Sequence, residues 1–164
     1  MKNSRVFIGL GSNLGNREEH IYNALRLMHY LPTINVVGTS PIYETEPIGV
    51  EGHPDYLNMT AEIITTLQPE ELLHALQSLE AELGRYSHGN LEPRTIDLDI
   101  LIFGDQVVDA DFLTIPHPRI TERRYVLRTL LDIDANLHHP GTGLTIRHHF
   151  DTCKDTTRYT VFRK

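Results

Sequence analysis

Cysteine is nearly absent from this chain of 164 residues, which contains one, Cys153. A single thiol excludes an internal disulfide and agrees with a reducing cytoplasm, where we expect the protein to reside. Long hydrophobic runs are lacking as well. The apolar stretch 6–10 is too short for a secretory signal, and nothing approaches the length that spans a membrane. We therefore expect no membrane partner.

The chain also has no excess of positive charge, because it contains 15 Lys and Arg residues and 22 Asp and Glu residues, which gives a net charge of −7. Such a chain is a poor candidate for general nucleic-acid binding, although a local basic pocket can still hold a small anion. The sequence shows no repeat, low-complexity tract or linker. We expect one globular domain over residues 1–164, acting as a monomer.

The most informative stretch is Pro93–Phe103, PRTIDLDILIF, which we interpret as a buried strand. Strand side chains alternate, so one row is a core face and the opposite row carries Asp97 and Asp99. The core row is Ile96, Leu98, Ile100 and Ile102, and the opposite row is Thr95, Asp97, Asp99 and Leu101. Burying paired carboxylates costs free energy unless a cation compensates their charge. Divalent metals bound by carboxylates usually also bind phosphate groups. Solvent exposure or pairing with Arg remains the alternative.

The order of elements predicts the fold class. Helices begin at Asn16, Pro69 and Thr121, and strands lie near 5–10, 34–39, 59–65 and 95–103. This β-α-β-β-α-β order predicts an α+β, ferredoxin-like antiparallel sheet with helices packed on one face. A C-terminal helix and short strands follow the core. We expect the Asp97/Asp99 strand, as the fourth of the core, to sit centrally in the sheet.

A glycine-rich stretch, Gly9-x-Gly11-x-x-x-Gly15, lies between the first strand and the first helix. It is similar to a dinucleotide fingerprint, which would make the protein an NADP-linked reductase. Against this, the second strand ends in Gly38-Thr39-Ser40, with no acid for the ribose. We prefer a tight strand-to-helix turn.

Basic side chains placed to meet an anion occur at several points. Arg85 and Arg94 bracket a polar loop, and His117 lies between two prolines, which stiffen its backbone. Arg123 and Arg124 stand at the start of a helix, where positive charge opposes the helix dipole. We infer that one of these two arginines is retained for an anion.

Two polar side chains, Tyr56 and Asn58, would share one face of a strand. A ring beside an amide suits a flat polar heterocycle, but on these two residues alone we prefer an ordinary strand-edge Tyr and a turn Asn.

Six motifs in order resemble the 6-hydroxymethyl-7,8-dihydropterin pyrophosphokinases of folate biosynthesis, over about Val6 to Leu131. They are Gly11-Ser12-Asn13-Leu14-Gly15-Asn16, Tyr43-x-Thr45-x-Pro47-x-Gly49, Pro54-x-Tyr56-x-Asn58, Gly84-Arg85, Pro93-Arg94-Thr95-Ile96-Asp97-Leu98-Asp99 and Pro116-His117-Pro118-Arg119. The resemblance implies that the pterin hydroxymethyl oxygen attacks the β-phosphorus of ATP and that AMP leaves. It also implies two Mg²⁺ ions, with ATP and a reduced pterin as the substrates.

The same resemblance assigns roles to individual residues. The catalytic set is Arg85, Arg94, Asp97 and Asp99, and the two acids ligate the metal. The ATP set is Gln77, Arg85, Arg94, Ile100, Leu113, Thr114, His117 and Arg123. The pterin set is Thr45, Glu46, Ile48, Tyr56, Asn58 and Tyr125. Glu80 matches a family acid near the site, but the resemblance gives it no role.

The chain departs from the family pattern at three positions. Leu91, followed by Glu92, stands where an aromatic residue is frequent, Tyr125 stands where Phe is common, and Arg124 stands where some members have a small residue. We expect these departures to change closure and affinity more than reaction type. The loops 44–55 and 85–92 are the expected lids. Two other classes stay open, a ferredoxin-like small-molecule sensor and a two-metal nucleotidyl transferase.

Overall fold

The computed structural model describes residues 2–48, 51–84 and 95–163. In this part of the chain the strands are β1 (Ser4–Ser12), β2 (Ile34–Thr39), β3 (Ile42–Thr45), β4 (Tyr56–Thr65), β5 (Asp97–Phe103), β6 (Val108–Ala110), β7 (Leu113–Ile115) and β8 (Tyr159–Arg163). The helices are α1 (Arg17–Tyr30), α2 (Pro69–Glu82), α3 (Arg124–Ile133) and α4 (Ile146–Thr152), with a 3₁₀ turn at Ile120–Glu122. None of these helices is long and apolar enough to cross a membrane.

The main sheet is antiparallel and runs in the order β5-β1-β4-β3-β8. Strand β2 pairs with residues 61–65 of β4, while β3 pairs with residues 56–58, so β2 and β3 together act as one interrupted strand. The connectivity through β5 is then β-α-β-β-α-β, which confirms the ferredoxin-like α+β prediction. β6 and β7 form a separate hairpin.

Strand β5 lies at the edge of the sheet among the described strands, so the prediction of a central position was wrong. The reason is topological, because β1 and β4 take the central positions of the core and, among the described strands, β5 pairs with β1 alone. The outer edge of β5 is nonetheless covered. The Leu98 N–H donates to Glu80 Oε2 at 2.9 Å, and the Leu101 carbonyl accepts from the His117 N–H at 2.8 Å.

Both faces of the sheet are packed against helices. The two core helices α1 and α2 share one face, as predicted, and the C-terminal helices α3 and α4 cover the other. On the first face, α1 and α2 supply a core cluster with alternate residues of β1: Val6, Ile8, Leu10, Ile21, Ala24, Met28, Leu72, Leu76 and Leu79. On the second face, α3 and α4 supply another: Phe7, Leu101, Ile102, Leu127, Leu130, Leu131 and Ile146. The second face also carries the acid pair, because Asp97 and Asp99 alternate with the core residues Leu98 and Ile100.

A β-bulge at Leu101 breaks the predicted alternation of β5. Ile8 pairs with Ile100, but the preceding residue Phe7 pairs with Ile102, so Leu101 is an extra residue. Leu101 and Ile102 therefore both join the second cluster, and Phe103 joins the first. The prediction that Ile102 shares a face with Ile100 was wrong, because an inserted residue reverses the alternation beyond it.

Two of the three predicted helix starts are confirmed. Asn16 caps α1 as predicted, with its side chain accepting from the Glu19 N–H at 3.2 Å, and Pro69 opens α2. Thr121 does not cap a helix. It lies in the 3₁₀ turn, and α3 begins after Arg123, which makes no side-chain cap.

Candidate active site

A pocket lies on the second face of the sheet, and the acid pair stands on its wall. Asp97 pairs with Gly11 and Asp99 with Gly9 across β5 and β1, so the four residues share one face. Both carboxylates are half-buried. Because glycine has no side chain, β1 leaves an open floor between β5 and β4. The pocket encloses about 1100 Å³, including its solvent-open mouth.

Gly11 lies in this floor at a point where a side chain does not fit. A Cβ atom there would lie 2.7 Å from Asn58 Oδ1 and 3.6 Å from Tyr56 Cδ1. Tyr56 and Asn58 thus share one face of β4, as predicted, and flank Gly11. The Asn58 Nδ2 donates to Thr45 Oγ1 at 2.8 Å, which fixes the amide and leaves its oxygen over the glycine. The floor therefore offers a ring and an oriented amide beside the acids.

The pocket also carries basic groups from the segment after β7, namely His117, Arg119 and Arg123. The Arg119 N–H donates to His117 Nδ1 at 3.2 Å, so the hydrogen of the neutral ring is assigned to Nε2. Burial lowers the pKa of His117, and the cations Arg123 and Arg119 lower it further against the opposing effect of Asp97. His117 is therefore a neutral hydrogen-bond donor near pH 7.

Tyr125 closes the pocket from the first turn of α3. Burial raises the pKa of its hydroxyl, and the neighbouring Arg123, whose Nη1 lies 3.5 Å from that oxygen, opposes the rise. The negative charges of Asp99 and Asp97 raise the pKa further. The hydroxyl stays protonated at neutral pH.

Of the two arginines at the start of α3, only Arg123 lines the pocket. Arg124 instead donates to backbone carbonyls of the C-terminal segment, at Phe150 and Asp155. The structure thus places Arg123 at the pocket and Arg124 against the C-terminal segment.

Glu80, which had no assigned role, is buried with 2% of its surface exposed. Its contact with the Leu98 N–H falls between Asp97 and Asp99 along β5. This hydrogen bond holds the edge of the strand at the acid pair.

The pocket brings together most of the predicted site residues: Thr45, Glu46, Ile48, Tyr56, Asn58, Asp97, Asp99, His117, Arg123 and Tyr125. Four residues predicted for the ATP side do not line it: Gln77, Ile100, Leu113 and Thr114. The Ile100 side chain lies in the core, and Leu113 packs against that core. Arg85 and Arg94 lie outside the described residues, as do Leu91 and Glu92.

Sequence reasoning missed several lining residues, including His53, Arg119, Thr60 and Thr129. Arg119 was signalled by its place in the Pro116–Arg119 motif, and His53 by its place in the long loop. Nothing in the sequence linked Thr60 to Thr129, whose hydroxyl oxygens lie 2.7 Å apart although the residues are 69 positions apart.

The glycine-rich stretch is not a phosphate-binding turn in this structure. Gly9 and Gly11 lie inside β1, paired on both sides, and only Gly15 lies in the turn, with φ of 69°. Within the described residues, no group of three or more His, Cys, Asp or Glu side chains is placed to hold a metal ion. The metal-ligand candidate is the acid pair itself.

A family model described as 7,8-dihydro-6-hydroxymethylpterin-pyrophosphokinase (HPPK) matches residues 7–135. The chain belongs to this family. It is 44% identical over 141 residues to the 2-amino-4-hydroxy-6-hydroxymethyldihydropteridine pyrophosphokinase of Bacillus subtilis, covering 86% of this chain and 84% of the relative. The protein of the same name from Pseudomonas aeruginosa is 41% identical over 136 residues, covering 83% and 84%.

Other relatives are much longer proteins. The chain is 44% identical over 153 residues to the folic acid synthesis protein fol1 of Pneumocystis carinii, covering 93% of this chain but 20% of that protein. It therefore spans about one fifth of this fungal relative's length. The crystal structure of wild-type Plasmodium falciparum HPPK-DHPS with pteroate shares the fold, with a TM-score of 0.73 at 16% identity, covering 92% of this chain and 42% of that one.

Proposed function

We propose that this chain transfers a diphosphate group from ATP to the hydroxymethyl group of 6-hydroxymethyl-7,8-dihydropterin, in the biosynthesis of tetrahydrofolate. Family membership and the names of the bacterial relatives support this activity. One observation carries the proposal. A single pocket holds the acid pair Asp97 and Asp99, the basic group Arg123, and the ring and amide of Tyr56 and Asn58.

The acid pair is proposed to hold two Mg²⁺ ions. Two half-buried carboxylates on one strand face, opposite glycines, offer the hard oxygen ligands that Mg²⁺ prefers. Bound Mg²⁺ would neutralise charge on the phosphate oxygens. Glu80, by accepting from the Leu98 N–H, keeps the backbone between the two acids in place.

The transfer forms a bond from the pterin hydroxymethyl oxygen to the β-phosphorus of ATP and breaks the bond from that phosphorus to the oxygen leaving with AMP. The hydroxyl proton is released, and no general base is required, because such reactions depend mainly on positioning and charge stabilisation. The neutral His117 would donate from Nε2 to a phosphate oxygen, and Arg123 would add a cation. Arg85 and Arg94 are proposed to contact the polyphosphate as well.

The pterin is proposed to lie between the rings of Tyr56 and Tyr125, both of which line the pocket. Asn58 would bind the amide edge of the heterocycle, with its side chain already oriented by Thr45. Glu46 and Ile48 line the pocket beside Thr45 and would form its wall.

The adenine side is proposed to involve Gln77, Ile100, Leu113 and Thr114, outside the main pocket. Because the Ile100 side chain is buried in the core, its contact with a nucleotide would come from the backbone. We also propose that the chain acts as a single domain and a monomer in the cytoplasm, without a nucleic-acid or membrane partner. Its net charge of −7 supports the absence of nucleic acid.

Mass spectrometry of a reaction with ATP, Mg²⁺ and the hydroxymethyl-dihydropterin tests the activity. We expect the dihydropterin diphosphate and AMP in equal amounts, and neither product when Mg²⁺ is omitted. Release of pyrophosphate instead of AMP would indicate a nucleotidyl transferase. Binding of pterin without any turnover would indicate a sensor, and a thermal shift with NADPH but not with ATP and Mg²⁺ would indicate a reductase.

A further inference from the structure

The C-terminal segment 150–158 lies beyond the part of the chain that the family model matches, residues 7–135. It starts in the last turn of α4 and leads into β8, the strand that pairs with β3. Along this short stretch it contacts two separate walls of the pocket. One wall is the start of α3, with Arg123 and Tyr125, and the other is the end of β3, with Thr45 and Glu46.

Arg124 makes the contact with the first wall, and it uses all three side-chain nitrogens. Nε donates to the Asp155 carbonyl at 3.3 Å, Nη1 to the Phe150 carbonyl at 3.3 Å, and Nη2 to the Cys153 carbonyl. The guanidinium also lies over the ring of Phe150, a residue of α4, at 5.1 Å from the centroid. These bonds leave Arg124 committed to the C-terminal segment and unavailable to a phosphate.

Asp155 completes this contact from the other direction. Its Oδ2 accepts from the Arg124 N–H at 3.0 Å, which satisfies a donor at the uncapped start of α3. Its Oδ1 accepts from the N–H of Thr157 at 2.9 Å, which fixes the carboxylate itself. The first residue of α3 is therefore held by both its backbone and its side chain.

The second wall is held three residues further along, by Arg158. Its N–H donates to Glu46 Oε1 at 2.9 Å, and its carbonyl accepts from the Glu46 N–H at 3.2 Å. Its guanidinium lies 3.3 Å from Asp55 Oδ2, at the other end of the loop that begins at Glu46. Residues 155–158 thus connect the β3 wall to the α3 wall.

We infer that Arg124 is a positioning residue, which fixes the start of α3 to segment 150–158 so that Arg123 and Tyr125 face the pocket. The two residues flank Arg124 in the chain, so a change in its backbone position moves both. The effect of Arg124 on ATP and pterin binding rests on the proposed function, whereas its effect on the position of Arg123 and Tyr125 does not. Arg124 therefore acts through its neighbours and touches no substrate.

Hydrogen exchange of the substrate-free protein tests the positioning directly. We expect Arg124→Ala and Asp155→Ala to increase exchange in peptides covering residues 120–127 and to leave peptides from α1 unchanged. Arg147→Ala is the matched control, because Arg147 also lies over the Phe150 ring, at 5.7 Å. Should Arg124→Ala fail to fold, Arg124→Lys keeps the charge but cannot supply three donors in a fork.

Fluorescence titration with the dihydropterin, and with a non-hydrolysable ATP analogue and Mg²⁺, tests the consequence for binding. We expect Kd to rise about tenfold for both ligands in Arg124→Ala, and to stay unchanged in Arg147→Ala. A lower Tm with unchanged exchange at 120–127 and unchanged Kd would overturn the inference, since Arg124 would then be structural only. If the wild type binds neither ligand, the proposed function fails, while faster exchange at 120–127 still supports the positioning.

Discussion

A single methyl group added at Gly11 should damage the pterin side of the pocket while leaving the sheet intact. The new Cβ would lie 2.7 Å from Asn58 Oδ1, closer than non-bonded atoms tolerate. Asn58 cannot simply turn away, because its Nδ2 is hydrogen-bonded to Thr45 Oγ1 at 2.8 Å. Either this hydrogen bond breaks or β1 moves away from β4.

The expected magnitude follows from three opposing effects. Overpacking costs about 1–3 kcal/mol, and loss of the Asn58–Thr45 hydrogen bond costs about 1 kcal/mol. Against these, replacing Gly by Ala stabilises by about 0.4–1 kcal/mol through the unfolded state, since Gly11 is not among the glycines with positive φ. We expect a net destabilisation of about 1–3 kcal/mol and a roughly tenfold or greater rise in the Kd for pterin.

Gly38 offers the matched control, because a Cβ there would meet nothing within 4 Å and its φ is not positive. Gly38→Ala should therefore raise the stability slightly and leave pterin binding unchanged. Urea unfolding measures the first quantity and fluorescence titration the second. A double-mutant cycle with Asn58→Ala isolates the mechanism, since Gly11→Ala should add little once the amide is removed.

Near-native pterin affinity in Gly11→Ala would refute this reasoning, because the floor would then accept a side chain without displacing Asn58. An equal loss of pterin affinity on Gly11→Ala with and without the Asn58 amide would refute it as well. The damage would in that case come from a movement of β1 and not from the amide.

Three further predictions concern the acid pair and its surroundings. In a steady-state assay at saturating Mg²⁺, Asp97→Ala should lower turnover about a hundredfold or more and leave Tm unchanged. Asp105→Ala, in the exposed turn after β5, is the control and should leave turnover unchanged. Glu80→Ala removes the buried acceptor of the Leu98 N–H and should cost about 1–3 kcal/mol in urea unfolding, with a smaller loss for Glu80→Gln; equal losses would contradict this. The pKa of His117 is lowered by burial in the folded state, so its contribution to stability is present above its ordinary pKa and is lost as the pH falls through the lowered value. His117→Asn should therefore flatten the fall of Tm between about pH 7 and pH 5, and a dependence as steep as that of the wild type would exclude this role.

Local patterns correctly predicted which side chains share a strand face. The alternation of strand side chains placed Asp97 and Asp99 on one face, and the same rule placed Tyr56 beside Asn58. Both pairs line the pocket on the second face of the sheet. Such predictions succeed because the direction of a side chain depends on its own strand and needs no knowledge of other elements.

The failures concern features that involve distant partners. The bulge at Leu101 is a property of the pairing between β5 and β1, and periodicity within β5 alone does not reveal it. The sequence left Arg124 as a candidate anion ligand because it gave no sign of another partner. Its carbonyl partners lie 26 to 31 residues away in the chain. Sequence distance conceals these contacts, and only the packing of α4 against α3 brings them together.

The amino-acid sequence by itself determined the chemical groups and their order: an acid pair on one strand face, a glycine-lined first strand, and family motifs that fix the fold. The tertiary structure decided which groups meet. It placed β5 at the edge of the sheet, where Glu80 and the segment after β7 cover it, and it joined the two pocket walls through residues 155–158. The physical reason is that local patterns set directions, whereas a binding pocket depends on contacts between residues that only folding brings close.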